Sequence, residues 1–112
     1  MSEEIKKILK RYTEGIQKIY GNSLRRVILY GSYARGDFHK DSDFDIMILV
    51  SLDDTEIGER QRMLYDMTYD FWWEYDMEIN PIVKNEVHFQ KWIKNYPLYF
   101  NVQKEGVNLY AA

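Results

Sequence analysis

The chain contains no cysteine among its 112 residues and only two prolines. The absence of cysteine excludes disulfides, Fe–S clusters and thiolate zinc sites, and it fits the reducing cytoplasm in which we expect this protein. No apolar run approaches the roughly 20 residues that span a membrane, so we expect no membrane association. Residues 1–5 are largely charged or polar and lack the apolar core of a signal peptide.

Basic residues are too few for a protein that grips a polynucleotide. The formal net charge is −3, from 15 Lys and Arg against 18 Asp and Glu. The basic cluster at residues 6–11 falls on a predicted helix that also carries Glu3, Glu4 and Glu14, which is typical of a solvated helix face. Proteins that bind nucleic acid through its phosphates normally present a basic surface. We therefore expect neither direct nucleic-acid binding nor template-directed polymerase activity.

The length and the apolar pattern predict a single small α/β domain, of the α+β kind, over residues 1–112. Apolar residues recur every three or four positions at the start, which predicts a helix over 3–20. The further predicted elements are strands over 24–30, 43–50 and 77–83, a helical turn over 33–36, a long helix from 53 or 54 to about 75, and short helices over 86–94 and 98–104.

The strands are predicted to form a small mixed sheet of three or more strands flanked by helices. Residues 46–50 are apolar without alternation, which is typical of a central strand that is covered on both faces. Pro81 cannot donate a ladder hydrogen bond, so it places the third strand at an edge of the sheet or near the end of the strand.

Two aspartates open the second predicted strand. Side chains alternate between the faces of a strand, so Asp43 and Asp45 share one face and Phe44 points to the other. Two carboxylates on one face repel each other, and they are tolerated most easily where a divalent cation lies between them. Oxygen ligands alone favour Mg²⁺ or Mn²⁺.

A glycine and a serine end the first predicted strand. Gly31 allows the backbone to approach a ligand closely, and Ser32 adds a hydroxyl beside the free N–H groups of a helix that starts there. This combination of groups favours the binding of an anion such as a phosphate. A phosphate-binding turn followed by a carboxylate pair is typical of sites for phosphoryl or nucleotidyl transfer.

The order Gly31-Ser32, ten residues, then Asp43-Phe44-Asp45 resembles the G-S-x10-D-x-D signature of the DNA polymerase beta-like nucleotidyltransferase superfamily. The small size resembles its minimal branch, the minimal nucleotidyltransferases (MNT). The resemblance implies the polymerase beta-like fold and ATP as substrate. It also implies two Mg²⁺ ions, or Mn²⁺, held by Asp43, Asp45 and a third acid from a neighbouring strand.

Two residues compete for the position of the third acid. Asp76 and Glu78 alternate onto one face at the start of the third predicted strand. The family has an acid followed by apolar strand residues at this point. That resemblance favours Glu78 as a catalytic and metal-binding residue, with Asp76 as the runner-up.

The resemblance also implies that Gly31 and Ser32 bind the nucleotide through its β- and γ-phosphates. Arg35 follows at helical spacing. Its guanidinium can neutralise the triphosphate, or it can pair structurally with Asp37 or Asp41. The sequence leaves both possibilities open.

The long helix carries more aromatic surface than one core needs. Leu64, Met67, Phe71 and Tyr75 form one stripe, and a second set falls largely outside it. That set consists of Tyr65, Tyr69, Trp72 and Trp73. An interface with a partner protein explains such a set, although Tyr and Trp also tolerate partial exposure.

The resemblance implies a biological role. MNT proteins of this kind are typically paired with a helical HEPN protein in toxin–antitoxin modules, so the chain is expected to be the antitoxin and to transfer AMP to a hydroxyl of that partner. One alternative is a catalytically vestigial antitoxin, or a nucleotide-binding adaptor, that acts by binding alone. A second is a small-molecule nucleotidyltransferase of the aminoglycoside type, which the lack of room for an acceptor domain disfavours.

Overall fold

A computed structural model describes all 112 residues, from Met1 to Ala112. Five helices and four strands form the domain, and a 3-10 turn joins the first helix to the first strand. The elements are α1 (Glu3–Tyr20), β1 (Leu24–Tyr30), α2 (Ser32–Arg35), β2 (Phe44–Val50), α3 (Asp54–Tyr75), β3 (Ile79–Asn85), α4 (Glu86–Trp92), α5 (Pro97–Glu105) and β4 (Val107–Ala111). None of the helices combines the length and the apolar composition needed to cross a membrane.

The two long helices begin at side-chain caps. Ser2 Oγ accepts a hydrogen bond from the Ile5 N–H at 3.1 Å and starts α1. Asp53 accepts from the Glu56 N–H at 2.9 Å, and the Glu56 carboxylate accepts from the Asp53 N–H at 3.2 Å. This reciprocal capping box satisfies two N–H groups that have no partner within α3, and it fixes the start of that helix.

The four strands form one mixed sheet in the order β3-β2-β1-β4. β2 runs antiparallel to β1 and parallel to β3, and β1 runs antiparallel to β4. The predicted small mixed sheet is therefore confirmed. β2 lies inside the sheet, as its continuous apolar run predicts, and residues 46–50 are all buried.

The proline lies in an edge strand, as predicted. Pro81 pairs in register with Ile46. The Phe44 N–H donates to the Glu78 carbonyl at 2.9 Å, so alternate residues from 78 onward turn their backbone groups toward β2. Pro81 falls between them and turns its nitrogen outward, where no ladder bond is lost.

Several element boundaries in the structure differ from the sequence prediction by one or two residues, and the structure adds one strand. β2 and β3 begin at Phe44 and Ile79, later than predicted, so Asp43 and Glu78 lie just before the strands. α4 ends at Trp92. β4 was absent from the prediction because its five residues are exposed or only half-buried and carry no alternation of apolar and polar side chains. Its pairing with β1 makes it a strand.

Helices cover both faces of the sheet. α1 and α3 pack on one face, where Tyr12 and Leu64 are buried against Ile46 and Ile48. α4 and α5 pack on the other, where Phe89 and Tyr99 join a smaller cluster. The members of that cluster are Ile28, Tyr30, Met47, Leu49, Phe89, Tyr99 and Val102. The sheet therefore lies between two layers of helices.

Candidate active site

The predicted site residues meet at one end of the sheet because of strand direction. β1 ends at Tyr30, and its antiparallel neighbour β2 begins beside it, with Tyr30 paired to Asp45. β3 runs parallel to β2 and starts at the same end, with Asp45 paired to Asn80. The glycine turn after β1 and the acids at the starts of β2 and β3 are thus brought together from three separate segments.

Gly31 brings the turn against the second aspartate. Its backbone has φ 76° and ψ −154°, a conformation that side chains strongly disfavour. A Cβ placed on Gly31 would clash with Asp45 Oδ2, so a larger residue here would displace the Asp45 carboxylate. The glycine of the signature is therefore required both by its backbone angles and by its contact with the carboxylate.

The Asp45 carboxyl is partly withdrawn from solvent. Burial raises its pKa, and a hydrogen bond from Asn80 opposes that shift. Asn80 Nδ2 lies 3.5 Å from Asp45 Oδ1. The sequence analysis missed Asn80 as a neighbour of this acid, because the pairing follows from the β2–β3 register, which the sequence does not specify.

Glu78, rather than Asp76, stands beside the first aspartate. The charge of Asp43 raises the pKa of Glu78. Asp76 instead ends α3 with φ 53°, and its N–H donates to the Trp72 carbonyl at 3.0 Å. The two competing acids therefore have different surroundings, and Glu78 is the one that lies near the charge of Asp43.

The carboxylates suit a divalent cation by their chemistry. No group of three His, Asp or Glu side chains is gathered closely enough to form a ready-made metal site. Asp43, Asp45 and Glu78 nevertheless offer only oxygen ligands, the kind that Mg²⁺ and Mn²⁺ prefer. Asp43 raises the pKa of both other acids, and a cation would relieve that repulsion. The donor set fits a divalent ion once the side chains turn toward it.

The turn after Gly31 is a single helical turn anchored by aromatic rings. The Tyr33 ring stacks between the rings of Phe38 and Phe44, with centroid distances of 4.4 and 3.9 Å. Ser32 begins α2, so its N–H has no carbonyl partner within the helix. The stack holds the turn while leaving the Ser32 end of α2 partly open to solvent.

Arg35 pairs with two carboxylates. Its Nε donates to Asp37 at 3.2 Å, which is one of the pairings left open by the sequence, and no pairing with Asp41 is present. Its Nη1 donates to Glu105 Oε1 at 3.1 Å. Sequence analysis missed Glu105 because it reaches the site through α5 and the unpredicted strand β4.

A groove leads away from the acids along α3. It has a volume of about 520 Å³ and runs between the helix and the start of β3. Its lining consists of Tyr65, Thr68, Tyr69 and Trp72 from α3 and residues 78–81 from the strand side. Glu78 therefore lines this aromatic groove.

Comparison with known protein families shows the family to which this chain belongs. The family model described as polymerase beta, nucleotidyltransferase matches residues 3–112. The chain belongs to this nucleotidyltransferase family. The family match confirms the resemblance carried by the G-S-x10-D-x-D spacing, and it makes the chain a nucleotidyltransferase.

Two relatives from Methanocaldococcus jannaschii share the family. One candidate protein adenylyltransferase is 34% identical over 110 residues, which is 98% of this chain and all of the relative. A second is 40% identical over 80 residues, which is 71% of this chain and 79% of the relative. These members of the family are named for transfer of adenylyl groups to proteins.

Solved structures share the fold. A candidate nucleotidyltransferase from Sulfolobus solfataricus superimposes with a TM-score of 0.65 at 21% identity, covering 96% of this chain and 81% of that one. A toxin–antitoxin structure containing AMP-PNP gives 0.55 at 18% identity, covering 92% and 73%. A mutant of the toxin–antitoxin pair MntA–HpeT gives 0.54 at 16%, with the same coverage. The polymerase beta-like nucleotidyltransferase fold is thereby confirmed.

Proposed function

We propose that this nucleotidyltransferase is a Mg²⁺-dependent adenylyltransferase that moves AMP from ATP to a hydroxyl group of a partner protein. The observation that carries the proposal is that the Gly31 turn, Asp45 and the Asp43–Glu78 pair lie at one end of the sheet. Acids of this type next to a phosphate-binding turn are suited to displacement at a phosphorus atom.

Each residue has a role in this proposal. Asp43, Asp45 and Glu78 would hold Mg²⁺, as two ions, or Mn²⁺ in its place. When bound, the metal stabilises negative charge on the attacking and leaving oxygens. The Ser32 hydroxyl and the Arg35 guanidinium bind the triphosphate, and Gly31 gives it room to approach.

The groove along α3 is the path by which the acceptor hydroxyl enters the site. A hydroxyl that enters from the groove reaches the acids at Glu78. Its oxygen forms a bond to the α-phosphorus of ATP while the bond to the β-phosphate oxygen breaks, so that pyrophosphate leaves and the proton passes to solvent or to a carboxylate. Glu78, an exposed carboxylate whose pKa is raised by Asp43, would be the carboxylate that accepts this proton.

The aromatic face of α3 is the docking surface for the partner. Tyr65, Tyr69, Trp72 and Trp73 are each about half exposed or more, and Trp73 is 71% exposed. The rings of Tyr69, Trp72 and Trp73 contact one another at centroid distances of 5.6 to 6.2 Å, and Tyr65 lies one helical turn before Tyr69. Residues 63–78 include five acids and no Lys or Arg, so the matching surface is apolar with a basic rim.

A helical toxin of the HEPN type suits this description, and the chain would then act as its antitoxin. Fold neighbours from toxin–antitoxin structures, one of them holding AMP-PNP, support this choice of partner class. The choice of partner goes further beyond the comparisons than the transfer reaction does, because those neighbours share only the fold with this chain.

The transfer is tested with the product of the adjacent open reading frame as the partner protein. Incubation with ATP and Mg²⁺ should raise the intact mass of that protein by one AMP. Asp45→Asn should abolish the increase, and Asp41→Asn, which changes an acid of the neighbouring loop, should preserve it. An increase that survives Asp45→Asn would overturn the assignment of the acids, and tight binding without any increase would favour the vestigial antitoxin.

The docking surface is tested by a matched pair of truncations. Trp73→Ala should weaken the complex by roughly tenfold or more, as loss of a central aromatic anchor does. Val87→Ala removes an equally exposed apolar side chain, at 74% exposure on α4, and should leave the affinity unchanged. Equal affinities for the two variants would place the interface elsewhere.

A further inference from the structure

Glu105 contacts two of the residues assigned to the nucleotide. Its Oε1 accepts a hydrogen bond from the Gly31 N–H at 3.2 Å and a second from Arg35 Nη1 at 3.1 Å. A single carboxylate oxygen thus links the start of the glycine turn to the arginine one helical turn later. The link joins segments about 70 residues apart in sequence.

The backbone at Glu105 is fixed by close packing. The next residue, Gly106, donates its N–H to the Val102 carbonyl at 2.9 Å and ends α5. A Cβ on Gly106 would lie 2.4 Å from Ile28 Cγ2, so this corner is pressed against β1. Val107 then pairs with Leu29. Continued by two residues, this antiparallel register sets Glu105 opposite Gly31.

The contacts of Arg35 leave one side of its guanidinium available. Nε is used by Asp37 and Nη1 by Glu105. Nη2 has no hydrogen-bond partner within the chain, and the side chain is 46% exposed. A guanidinium held by two carboxylates loses little further rotamer freedom when its remaining N–H groups bind a phosphate.

We propose that Glu105 is a positioning residue for the triphosphate: it holds Gly31 and Arg35 in place so that Ser32 and the free side of Arg35 receive the phosphates. The proposal rests on the function proposed above and assigns no contact between Glu105 and the nucleotide. Because the carboxylate accepts both hydrogen bonds, its removal releases the Gly31 N–H and one of the two carboxylate contacts of Arg35 together. A merely stabilising ion pair would have no such selective effect.

The test compares three variants by calorimetric binding of ATP and of adenosine in the presence of Mg²⁺. Glu105→Ala removes both hydrogen bonds. Glu105→Gln keeps an amide oxygen that can accept them but removes the charge. Glu86→Ala is the control, since Glu86 forms a comparable half-buried ion pair with Arg25 at 3.4 Å on another part of the surface.

Glu105→Ala should weaken ATP binding by roughly tenfold, the scale of one lost charge-assisted contact, and leave adenosine binding unchanged. Glu105→Gln should bind ATP with an affinity closer to that of wild type than to that of Glu105→Ala, and Glu86→Ala should bind ATP as tightly as wild type. ATP affinity that is unchanged or increased in Glu105→Ala would overturn the proposal, and so would an equal loss for adenosine.

A measurement without nucleotide separates the two proposals. In ¹⁵N–¹H spectra of the protein alone, Glu105→Ala should shift the Gly31 amide resonance strongly, and Glu86→Ala should not. Failure of wild type to bind ATP with Mg²⁺ would overturn the proposed function. An unmoved Gly31 resonance would overturn the role of Glu105 whatever the nucleotide result.

Discussion

Gly31 and Asp45 lie in close contact, because a Cβ on the glycine would clash with the aspartate Oδ2. The contact joins the turn after β1 to the first residues of β2. It also couples the backbone of the turn to the position of a carboxylate assigned to the metal.

Gly31→Ala should therefore impair both stability and binding. The backbone angles alone cost about 1–3 kcal/mol for a residue with a side chain, and the clash pushes Asp45 aside. Chemical denaturation should show that loss in the free energy of unfolding, and calorimetry should show weakened binding of ATP with Mg²⁺. Gly58→Ala is the control, since a Cβ there meets nothing within 4 Å in α3, and it should stabilise the protein by about 0.5–1 kcal/mol. Equal effects of the two variants would contradict the close contact.

Two buried tyrosines of α1 should respond in opposite directions to the loss of a hydroxyl. The Tyr12 hydroxyl hydrogen-bonds to Thr68 Oγ1 at 2.6 Å, whereas the Tyr20 hydroxyl is buried without a partner. Tyr12→Phe should lower the free energy of unfolding by about 1 kcal/mol, and Tyr20→Phe should raise it by about 1 kcal/mol. Urea denaturation of the two variants tests this prediction. A lower free energy of unfolding in Tyr20→Phe would show that the Tyr20 hydroxyl is paired.

Stability should fall in alkaline solution because of the same Tyr20. Burial raises its pKa from 10.0 to about 12. Between these values the unfolded chain releases the proton while the folded chain retains it, so the free energy of unfolding falls as pH rises from about 10 to about 12. Below pH 10 this contribution is complete. Urea denaturation from pH 8 to 11.5 should show a shallower decline in Tyr20→Phe than in wild type, and parallel curves would refute this source of the decline.

The smaller hydrophobic cluster is expected to be essential for folding. Phe89 is fully buried between α5 and the sheet. Phe89→Ala should lower the free energy of unfolding by about 3–5 kcal/mol, since it removes a large buried ring and leaves a cavity. Phe100→Ala truncates a ring that is half exposed on α5 and should cost less than about 1 kcal/mol. Similar losses of unfolding free energy in the two variants, measured by thermal or chemical denaturation, would show that α4 and α5 do not pack against the sheet as a second layer.

The sequence predicted the features that depend on neighbouring residues. The glycine turn and the two aspartates lie within 15 positions of one another, so their strand, turn and strand could be inferred from local pattern. The central position of β2 followed from its unbroken apolar run, and the edge position of β3 followed from Pro81. The family signature also lies within this local segment.

Features that depend on long-range pairing could not be predicted. Asn80 reaches Asp45 through the β2–β3 register, and Glu105 reaches Gly31 through the β1–β4 register. Neither register is encoded in a short pattern, and β4 becomes a strand only because β1 is available beside it. The residues around the acids were therefore less predictable than the acids themselves.

The outward nitrogen of Pro81 bears on how the protein behaves at high concentration. β3 leaves one rim of the sheet uncovered by another strand, and such a rim can recruit further chains into fibrils. An approaching strand meets no donor at Pro81, and Lys84 adds a repelling charge a few residues later. Concentrated samples should accordingly stay dispersed rather than grow into cross-β aggregates.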